Sequence, residues 1–229
     1  MKNLLAILLL GACLFSINAQ AVVVRGTGTT ALVGHDLTDP ENDGLPDSNV
    51  NYNATFRSSV NPGFGSPELA FNVFDNRVGG SSDKWCCNIG TVWVEADFGS
   101  QQYNLTSFTA ASSNDTPNRD SDYWRILGSN DGVNYTTIYE YNQDGVSPWT
   151  NRLQVNQYSV GTDFAAPAAY SIFRFESFST VGLTHGFNEF ALSELEFFGT
   201  AVPVPEPGSL ALFALGAAAC GVARRKRRN

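Results

Sequence analysis

Residues 123–141 read YWRILGSNDGVNYTTIYEY, and this stretch indicates the fold class of the chain. Aromatic and β-branched residues alternate with polar ones from Tyr123 to Gly128 and again from Tyr135 to Tyr141. Such alternation is typical of half-buried β-strands. Between the two segments, Ser129-Asn130-Asp131-Gly132 supplies residues that tolerate positive φ, so the stretch predicts a β-hairpin.

Segments of the same kind follow one another along the middle of the chain. We find no helical pattern of ten or more residues among them and no internal repeat. Seven or eight short strands within about 145 residues predict a single all-β domain with the architecture of a β-sandwich. The other predicted strands are Thr91 to Phe98, Leu105 to Ala110, Arg152 to Val160, Tyr170 to Glu176 and Phe190 to Phe198.

The charge of the chain is distributed unevenly. Its 229 residues include 14 lysines and arginines against 22 aspartates and glutamates. Six of the 14 basic residues stand at the two ends, so the rest of the chain carries a net charge of 8 − 22 = −14. A surface this acidic repels phosphate backbones, which excludes nucleic acid as a partner. The terminal basic residues are Lys2, Arg224, Arg225, Lys226, Arg227 and Arg228.

Residues 1–21 have the features of a secretory signal peptide. Lys2 precedes the apolar run from Leu4 to Leu10, and Ala19-Gln20-Ala21 has the small-residue spacing that signal peptidase requires, so the mature chain would begin near Val22. Alternatively, Leu10-Gly11-Ala12-Cys13 resembles a bacterial lipobox and would place a lipid on its cysteine. Both interpretations predict that the protein leaves the cytosol.

The C-terminus has three consecutive parts. Residues 200–208 form a Pro-rich linker, Ser209 to Ala223 is an apolar stretch, and residues 224–229 are a basic tail. A helix of about 15 residues spans about 22 Å at ~1.5 Å per residue, less than the ~30 Å hydrocarbon core. We therefore predict a short transmembrane helix whose basic end stays in the cytoplasm.

This order of linker, helix and basic tail resembles the PEP-CTERM sorting signal of Gram-negative bacteria. The resemblance implies that an exosortase-like membrane enzyme recognises Pro205, Glu206 and Pro207 and processes the tail. The membrane anchor would then be transient, and the protein would reach the cell surface or extracellular matrix. The alternative is an ordinary C-terminal anchor after a Pro-rich linker.

A second resemblance covers about residues 54–199. Seven motifs, in the same order, are similar to those of a discoidin domain, the coagulation factor type C or galactose-binding-like family. The resemblance implies a jelly-roll β-sandwich of the kind found in many carbohydrate-binding modules, preceded by an N-terminal extension at residues 22–53. The loop between Asp75 and Trp85 is longer than in the family. The motifs are Phe74-Asp75-Asn76, Lys84-Trp85, Trp93 to Gly99, Arg119-Asp120, Gly128 to Gly132, Phe173 to Phe175 and Leu192 to Gly199.

This resemblance also implies a structural calcium ion between the loop after Asp75 and the last strand. Calcium prefers six to eight oxygen ligands and accepts backbone carbonyls. The alternative is that Asp75 and Asp83 only cap the loop. Carried over by position, the ligands are the side chains of Asp75, Asp83 and Glu194 and the backbone carbonyls of Asn72, Arg77 and Ser193.

A separate acidic loop runs from Asp39 to Asp47. Oxygen-bearing side chains at positions 39, 41, 43 and 47, together with Gly44, resemble a calcium loop of the thrombospondin type-three kind. Only one copy is present, and an acidic solvated turn is the alternative interpretation.

Cys86 and Cys87 are adjacent, and the other two cysteines lie in the predicted leader and anchor. The pair could form a vicinal disulfide, bridge to another chain, or remain as buried thiols beside Trp85 and Trp93. No Cys-x-x-Cys spacing supports metal binding or redox catalysis.

Ligand binding in discoidin domains uses loops at one end of the sandwich, with an aromatic platform and Arg, Asn or His donors. Each candidate also has a structural interpretation, for example an ion pair for Arg119 and a core position for Trp149. The candidate ligand-binding residues are Asn118, Arg119, Trp149, His185, Phe187 and Asn188.

The predicted function is a non-catalytic, exported binding module for an extracellular polysaccharide. The chain contains no Gly-x-Ser-x-Gly elbow, no Gly-rich phosphate loop and no His-Glu-x-x-His motif. The alternative function is a structural matrix or biofilm component in which self-association matters more than a discrete ligand.

Overall fold

A computed structural model describes residues 22–39, 52–65, 68–80, 82–183 and 189–203. Within these ranges the chain forms eleven β-strands and three short 3-10 helices, with no α-helix. The prediction of an all-β sandwich is confirmed. The strands are β1 (Val23–Thr27), β2 (Thr55–Ser58), β3 (Trp85–Ile89), β4 (Val92–Asp97), β5 (Tyr103–Ala111), β6 (Ser121–Ser129), β7 (Thr136–Asn142), β8 (Gln154–Ser159), β9 (Ile172–Thr180), β10 (Glu189–Leu192) and β11 (Glu194–Ala201).

The strands form two main sheets and one short one. The five-stranded sheet has the order β2-β4-β9-β6-β7, and the four-stranded sheet has the order β1-β8-β5-β11. Strands β3 and β10 pair separately as a two-stranded sheet. All pairings between these strands are antiparallel.

The hairpin predicted between residues 123 and 141 is present as β6 and β7, with Trp124 opposite Tyr141. Its turn is held by the Asp131 side chain, whose Oδ1 accepts the amides of Val133 at 2.9 Å and Asn134 at 2.7 Å. Gly132 has φ +68, a conformation that glycine adopts without steric cost. The local sequence therefore encodes this hairpin directly.

Aromatic rings from the two main sheets meet in the core. Phe108 on β5 packs against Trp124 on β6 with ring centroids 6.1 Å apart, and Phe173 on β9 packs against Phe197 on β11 at 5.6 Å. All four side chains are fully buried. Burial of apolar area between the sheets is the main stabilising contribution to such a fold.

The N-terminal extension contributes to the sandwich. Strand β1 pairs with β8, and the Leu37 amide donates to the Phe197 carbonyl at 2.7 Å. The buried carboxyl of Asp36 accepts the Phe197 amide at 3.0 Å. Burial raises the pKa of Asp36 to about 7, although hydrogen bonds from the amides of Phe197 and Thr38 oppose the shift. Residues 22–39 therefore belong to the same packed unit as the region predicted as the domain.

One predicted strand, Phe190 to Phe198, is divided in the structure. Strand β10 pairs with β3, whereas β11 pairs with β5 in the four-stranded sheet. The chain changes sheets at Ser193, whose amide donates to the Ala111 carbonyl at 2.9 Å. The alternation of apolar and polar residues did not reveal this division because it continues through Ser193 into β11.

Several sequence predictions lie outside the described residues. These are the signal peptide, positions 40–47 of the acidic loop, the Pro205-Glu206-Pro207 motif, the C-terminal helix and the basic tail. In the part of the chain that is described, no helix has the length and hydropathy needed to cross a membrane.

Candidate functional site

Asp75 and Glu194 lie together beside the amide of Arg77. Asp75 ends the 3-10 helix Ala70–Phe74, and Glu194 is the first residue of β11. The Arg77 amide donates to Asp75 Oδ1 at 3.1 Å and to Glu194 Oε2 at 3.2 Å. The loop and the last strand therefore meet at one point, with two carboxyl groups directed toward it.

Both carboxyl groups are removed from solvent. Asp75 is 7% exposed and Glu194 is 1% exposed. Burial raises the pKa of Asp75 to about 8, with the charge of Asp83 adding to the shift and that of Arg77 opposing it. Burial also raises the pKa of Glu194 well above its ordinary value, and the charge of Asp75 raises it further. Two converging carboxyl groups whose ionisation is opposed by burial provide the type of oxygen atoms that a hard cation such as calcium prefers.

Asp83 has a different environment from the other two acids. Its Oδ1 pairs with Arg77 Nη1 at 3.3 Å. A Cβ at position 79 would lie 2.4 Å from Asp83 Oδ2, so a larger residue there would displace the Asp83 carboxylate. Among the described residues, the three carboxylates do not form a group with ligand atoms within 4.8 Å of one another. Asp83 would have to leave its ion pair to bind a cation beside Asp75, and the calcium assignment stays a prediction.

The side chains at the predicted carbonyl ligands stabilise the surrounding loops. Asn72 is buried, and its amide group donates to the carbonyls of Gly65 and Lys84, both at 3.0 Å. Ser193 Oγ donates to the Gly79 carbonyl at 3.4 Å. These contacts fix the loop that carries Asp75 against the neighbouring strands.

The acidic loop begins at Asp39, which contacts the residue next to Asp75. Asp39 is 4% exposed and accepts a short hydrogen bond from Asn76 Nδ2. Asn76 directly follows Asp75 in the chain. The first acid of one predicted calcium loop therefore contacts the other predicted loop, while residues 40–47 lie outside the described ranges.

The predicted ligand-binding residues do not all lie in open loops. Asn118 and Arg119 belong to the 3-10 helix Pro117–Arg119, and both are half-buried. Trp149 is 3% exposed and donates from Nε1 to the Ala110 carbonyl at 3.1 Å. The structure thus places Trp149 in the core, where its ring offers no face to a ligand. His185, Phe187 and Asn188 lie outside the described residues.

Arg119 joins a group of charged side chains that sequence reasoning missed. Its Nη2 lies 2.6 Å from Glu189 Oε2, and its Nη1 lies 3.1 Å from Asp115 Oδ2. Lys84 Nζ lies 2.6 Å from the same Asp115 oxygen and 3.3 Å from Glu68 Oε1. The side chain of Lys84 is only 5% exposed. A lysine buried to this degree needs partners, and no motif in the sequence indicates them.

The centre of this group is a vicinal disulfide. Cys86 and Cys87 are bonded to each other across a cis peptide bond. Cys86 Sγ lies 3.6 Å from Asp115 Oδ2 and 3.6 Å from Arg119 Nη1, and Cys87 Sγ lies 3.8 Å from Glu68 Oε2. Of the interpretations open from the sequence, the structure has the vicinal bond. We call the following residues the disulfide cluster: Glu68, Lys84, Cys86, Cys87, Asp115, Arg119 and Glu189.

The two cations of the disulfide cluster favour the ionised form of Asp115. Burial raises the pKa of Asp115, but the hydrogen bonds and charges of Lys84 and Arg119 outweigh it, so the net shift is downward. Burial lowers the pKa of Arg119, whereas Glu189 and Asp115 raise it more. Asp115 and Arg119 therefore remain charged near neutral pH and offer fixed hydrogen-bonding groups.

Comparison with known proteins gives one match in sequence. Residues 203–228 match the PEP-CTERM protein-sorting motif, which confirms the predicted sorting signal. No curated protein sequence matches the chain.

Several solved structures that are similar to the chain are carbohydrate-binding modules. The Clostridium perfringens module CpGH89CBM32-5, solved with GalNAc-β-1,3-galactose, is 17% identical, with a TM-score of 0.47, and the match covers 64% of this chain and 96% of the module. The family-62 module of Clostridium thermocellum Xyl5A is 15% identical, with a TM-score of 0.49 and coverage of 65% and 96%. Chitosan-binding module 1 from a Paenibacillus sp. IK-5 chitosanase/glucanase is 20% identical, with a TM-score of 0.45 and coverage of 64% and 96%.

Proposed function

We propose that the chain is an exported, non-catalytic module that binds an extracellular polysaccharide at the surface of a Gram-negative bacterium. The sorting motif at residues 203–228 supports delivery through the membrane. The disulfide cluster supports binding, because charged groups fixed by mutual ion pairs can exchange hydrogen bonds with sugar hydroxyls at little cost in side-chain entropy. The observation that carries the proposal is this preorganised cluster on the two-stranded sheet.

The same cluster argues against catalysis at this place. General acid catalysis needs a carboxyl group whose pKa lies near the working pH. Here Lys84 and Arg119 both contact Asp115, and their hydrogen bonds and charges lower its pKa below the ordinary value. The site suits binding rather than proton transfer.

Binding is tested with the full chain, solubilised in a detergent that lacks a sugar head group, on an array of defined oligosaccharides. We expect saturable binding that Arg119→Gln weakens at least tenfold, because the substitution removes a charged donor to the sugar hydroxyls and the two ion pairs that hold Asp115 and Glu189 in place. Arg125→Gln is the matched control, since Arg125 forms a comparable ion pair with Glu140 on β6 and β7. Equal binding by the Arg119 variant and the wild type would place the ligand elsewhere.

We further propose that an exosortase-like enzyme processes the tail at Pro205-Glu206-Pro207. The mature protein should then lack residues 211–229, and Glu206→Gln should leave the full-length chain in the inner membrane. Mass spectrometry of both termini tests this. An intact Arg-rich terminus on the mature wild-type protein would show that the motif only precedes a permanent anchor.

A structural role in the extracellular matrix is the second candidate, and the edge of the four-stranded sheet favours it. Strand β1 is at that edge, and it exposes Val23 by 52% and Val24 by 56%. An exposed apolar edge can pair with another chain. Sedimentation of the wild type and of Val24→Lys separates the binding function from the structural role. The structural role would be favoured if the wild type assembles with increasing concentration, the Val24→Lys variant does not, and neither binds sugar.

We also propose that calcium is a structural ion of the module, held by Asp75 and Glu194. Their buried, converging carboxyl groups support it. Bound there, the ion would supply the positive charge that both groups lack, and it would join the loop to β11.

A further inference from the structure

The disulfide in the cluster lies where the backbone of β3 is irregular. Strand β10 pairs Ala191 with Cys86 and Phe190 with Asn88, so Cys87 has no direct partner across the ladder. Such a bulge turns a side chain away from the regular alternation of the strand and is common at binding sites. Cys86 is 4% exposed, whereas Cys87 keeps part of its surface accessible. The irregularity therefore brings one half of the disulfide toward the surface.

A pyranose ring needs an apolar surface beneath its C–H groups as well as polar partners around its hydroxyls, and tryptophan rings usually provide that surface. Three of the tryptophans in the described part of the chain have rings that are buried or already covered. Trp85 is fully buried against Phe190, and Trp149 lies in the core. Trp93 already has the guanidinium of Arg174 over its ring at 3.9 Å.

The disulfide and the next apolar residue of β3 remain available. Ile89 is 64% exposed, and it lies opposite Glu189, the partner of Arg119. Cys87 Sγ lies 3.8 Å from Glu68 Oε2, and Cys86 Sγ lies 3.6 Å from Arg119 Nη1. The result is a small apolar surface with charged hydrogen-bonding groups on its sides.

Charge restricts which sugars can bind here. The cluster contains three carboxylates, Glu68, Asp115 and Glu189, and only two cations, Lys84 and Arg119. Each cation is already paired with two of these acids. The chain apart from its termini also carries a net charge of 8 − 22 = −14. A uronic acid would therefore meet repulsion and no unpaired cation, whereas a neutral or amino sugar would not.

We propose that the Cys86–Cys87 disulfide is the apolar floor of the sugar site and that Glu68 and Arg119 form its hydrogen-bonding rim. The ligand class is a pyranoside without a carboxylate, neutral or amino-substituted. This inference rests on the proposed function, since it assigns the specificity of the same site.

Protection of the disulfide from reduction tests the inference on the unmodified protein. The full chain, in a detergent without a sugar head group, is treated with a water-soluble phosphine, and formation of the two thiols is followed. The probe is the best-binding neutral or amino oligosaccharide from the array. At ten times its dissociation constant, about one molecule in eleven is free, so reduction should slow about tenfold. A uronic oligosaccharide at the same concentration should leave the rate unchanged.

A variant provides a second readout. Cys86→Ala with Cys87→Ala should bind the same oligosaccharide about tenfold more weakly and should become insensitive to phosphine. Glu68→Gln should also weaken binding, while Glu140→Gln, a matched ion-paired glutamate with 40% side-chain exposure against 31% for Glu68, should not. If the double variant fails to melt cooperatively, the protection experiment decides alone.

The outcomes separate the inference from the proposed function. Sugar binding that leaves the reduction rate unchanged would overturn the floor assignment and leave the binding function intact. A disulfide that phosphine cannot reduce in the folded protein would also overturn it, because a sugar could not reach it either. Preferential binding of uronic oligosaccharides would overturn the ligand class. No binding of any oligosaccharide by the wild type would overturn both proposals.

Discussion

Removal of calcium should destabilise the protein, and the structure sets the size and the pH dependence of the effect. A ligand that binds only the folded state adds about 2.7 kcal/mol when its free concentration is 100 times its dissociation constant. For a domain of this size, 1 kcal/mol changes the melting temperature by about 2–4 °C. A chelator should therefore lower the melting temperature by about 5–10 °C when calcium in the reference sample is at that level.

The sign of the pH dependence follows from the buried pair. Without a cation, burial raises the pKa of Asp75 to about 8 and that of Glu194 well above its ordinary value. Asp75 then largely holds its proton at pH 7, and calcium must displace it; the raised pKa of Glu194 acts in the same direction. The apparent affinity should fall as the pH drops below 8, by up to about tenfold per unit for each proton displaced. The chelator effect should therefore be larger at pH 8 than at pH 6.

Differential melting curves of the full chain with calcium and with chelator measure both effects. Glu194→Gln should melt like the chelated wild type, because the glutamine resembles the protonated acid, and Asp75→Asn should also lose most of the calcium response. Asp144→Asn, at an exposed position, is the matched control, and Asp43→Asn tests the separate acidic loop. If chelator leaves the wild-type curve unchanged at low ionic strength, the acids only cap the loop and the calcium assignment is wrong.

Two further predictions concern buried charges. Burial raises the pKa of Asp36 to about 7, so the folded state binds more protons than the unfolded state between about pH 4 and pH 7. The free energy of unfolding should therefore fall by up to ~1.4 kcal/mol for each pH unit as the pH rises through this range. In Asp36→Asn, the free energy of unfolding measured with urea should depend less on pH, and an equal pH dependence would contradict the shift. Glu95→Ala should lower the free energy of unfolding by about 3 kcal/mol, because it removes a 1% exposed carboxylate that accepts hydrogen bonds from Arg57, Arg174 and Tyr135. A loss below about 1 kcal/mol would show that solvent already screens these charges.

Local patterns predicted most of the sandwich. The hairpin from β6 to β7 and the strands β4, β5, β8 and β9 occur where alternation indicates them. Strand β3 escaped prediction because Trp85-Cys86-Cys87 has no alternation, and β1 because its valines are exposed on a sheet edge. Their pairing depends on distant partners, and a single sequence does not show these directly.

The sequence predicted candidate site residues only where the family resemblance gives a position in the fold and the residue type at that position suits the site. Asp75 and Glu194 were found because the family resemblance aligns the loop with the last strand, and the structure brings them together. The sequence gives no way to decide whether Trp149 faces a ligand or the core, since that depends on how the loop packs. Glu68 and Glu189 are 121 positions apart and meet near the disulfide only through the fold.

The two candidate sites share backbone, so binding at one should affect the other. Asp83, in the loop after Asp75, directly precedes Lys84 of the disulfide cluster. The segment from Glu189 to Glu194 begins in the disulfide cluster and ends at the proposed calcium site. Ser193 fixes this segment where it changes sheets. Calcium that orders Glu194 should lower the entropy cost of holding Glu189 beside Arg119, so a chelator should weaken sugar binding. Linkage requires sugar to strengthen calcium binding by the same factor, and calorimetric titration of each ligand with and without the other measures both factors. Sugar affinity that is independent of calcium would show that this segment does not couple the two sites.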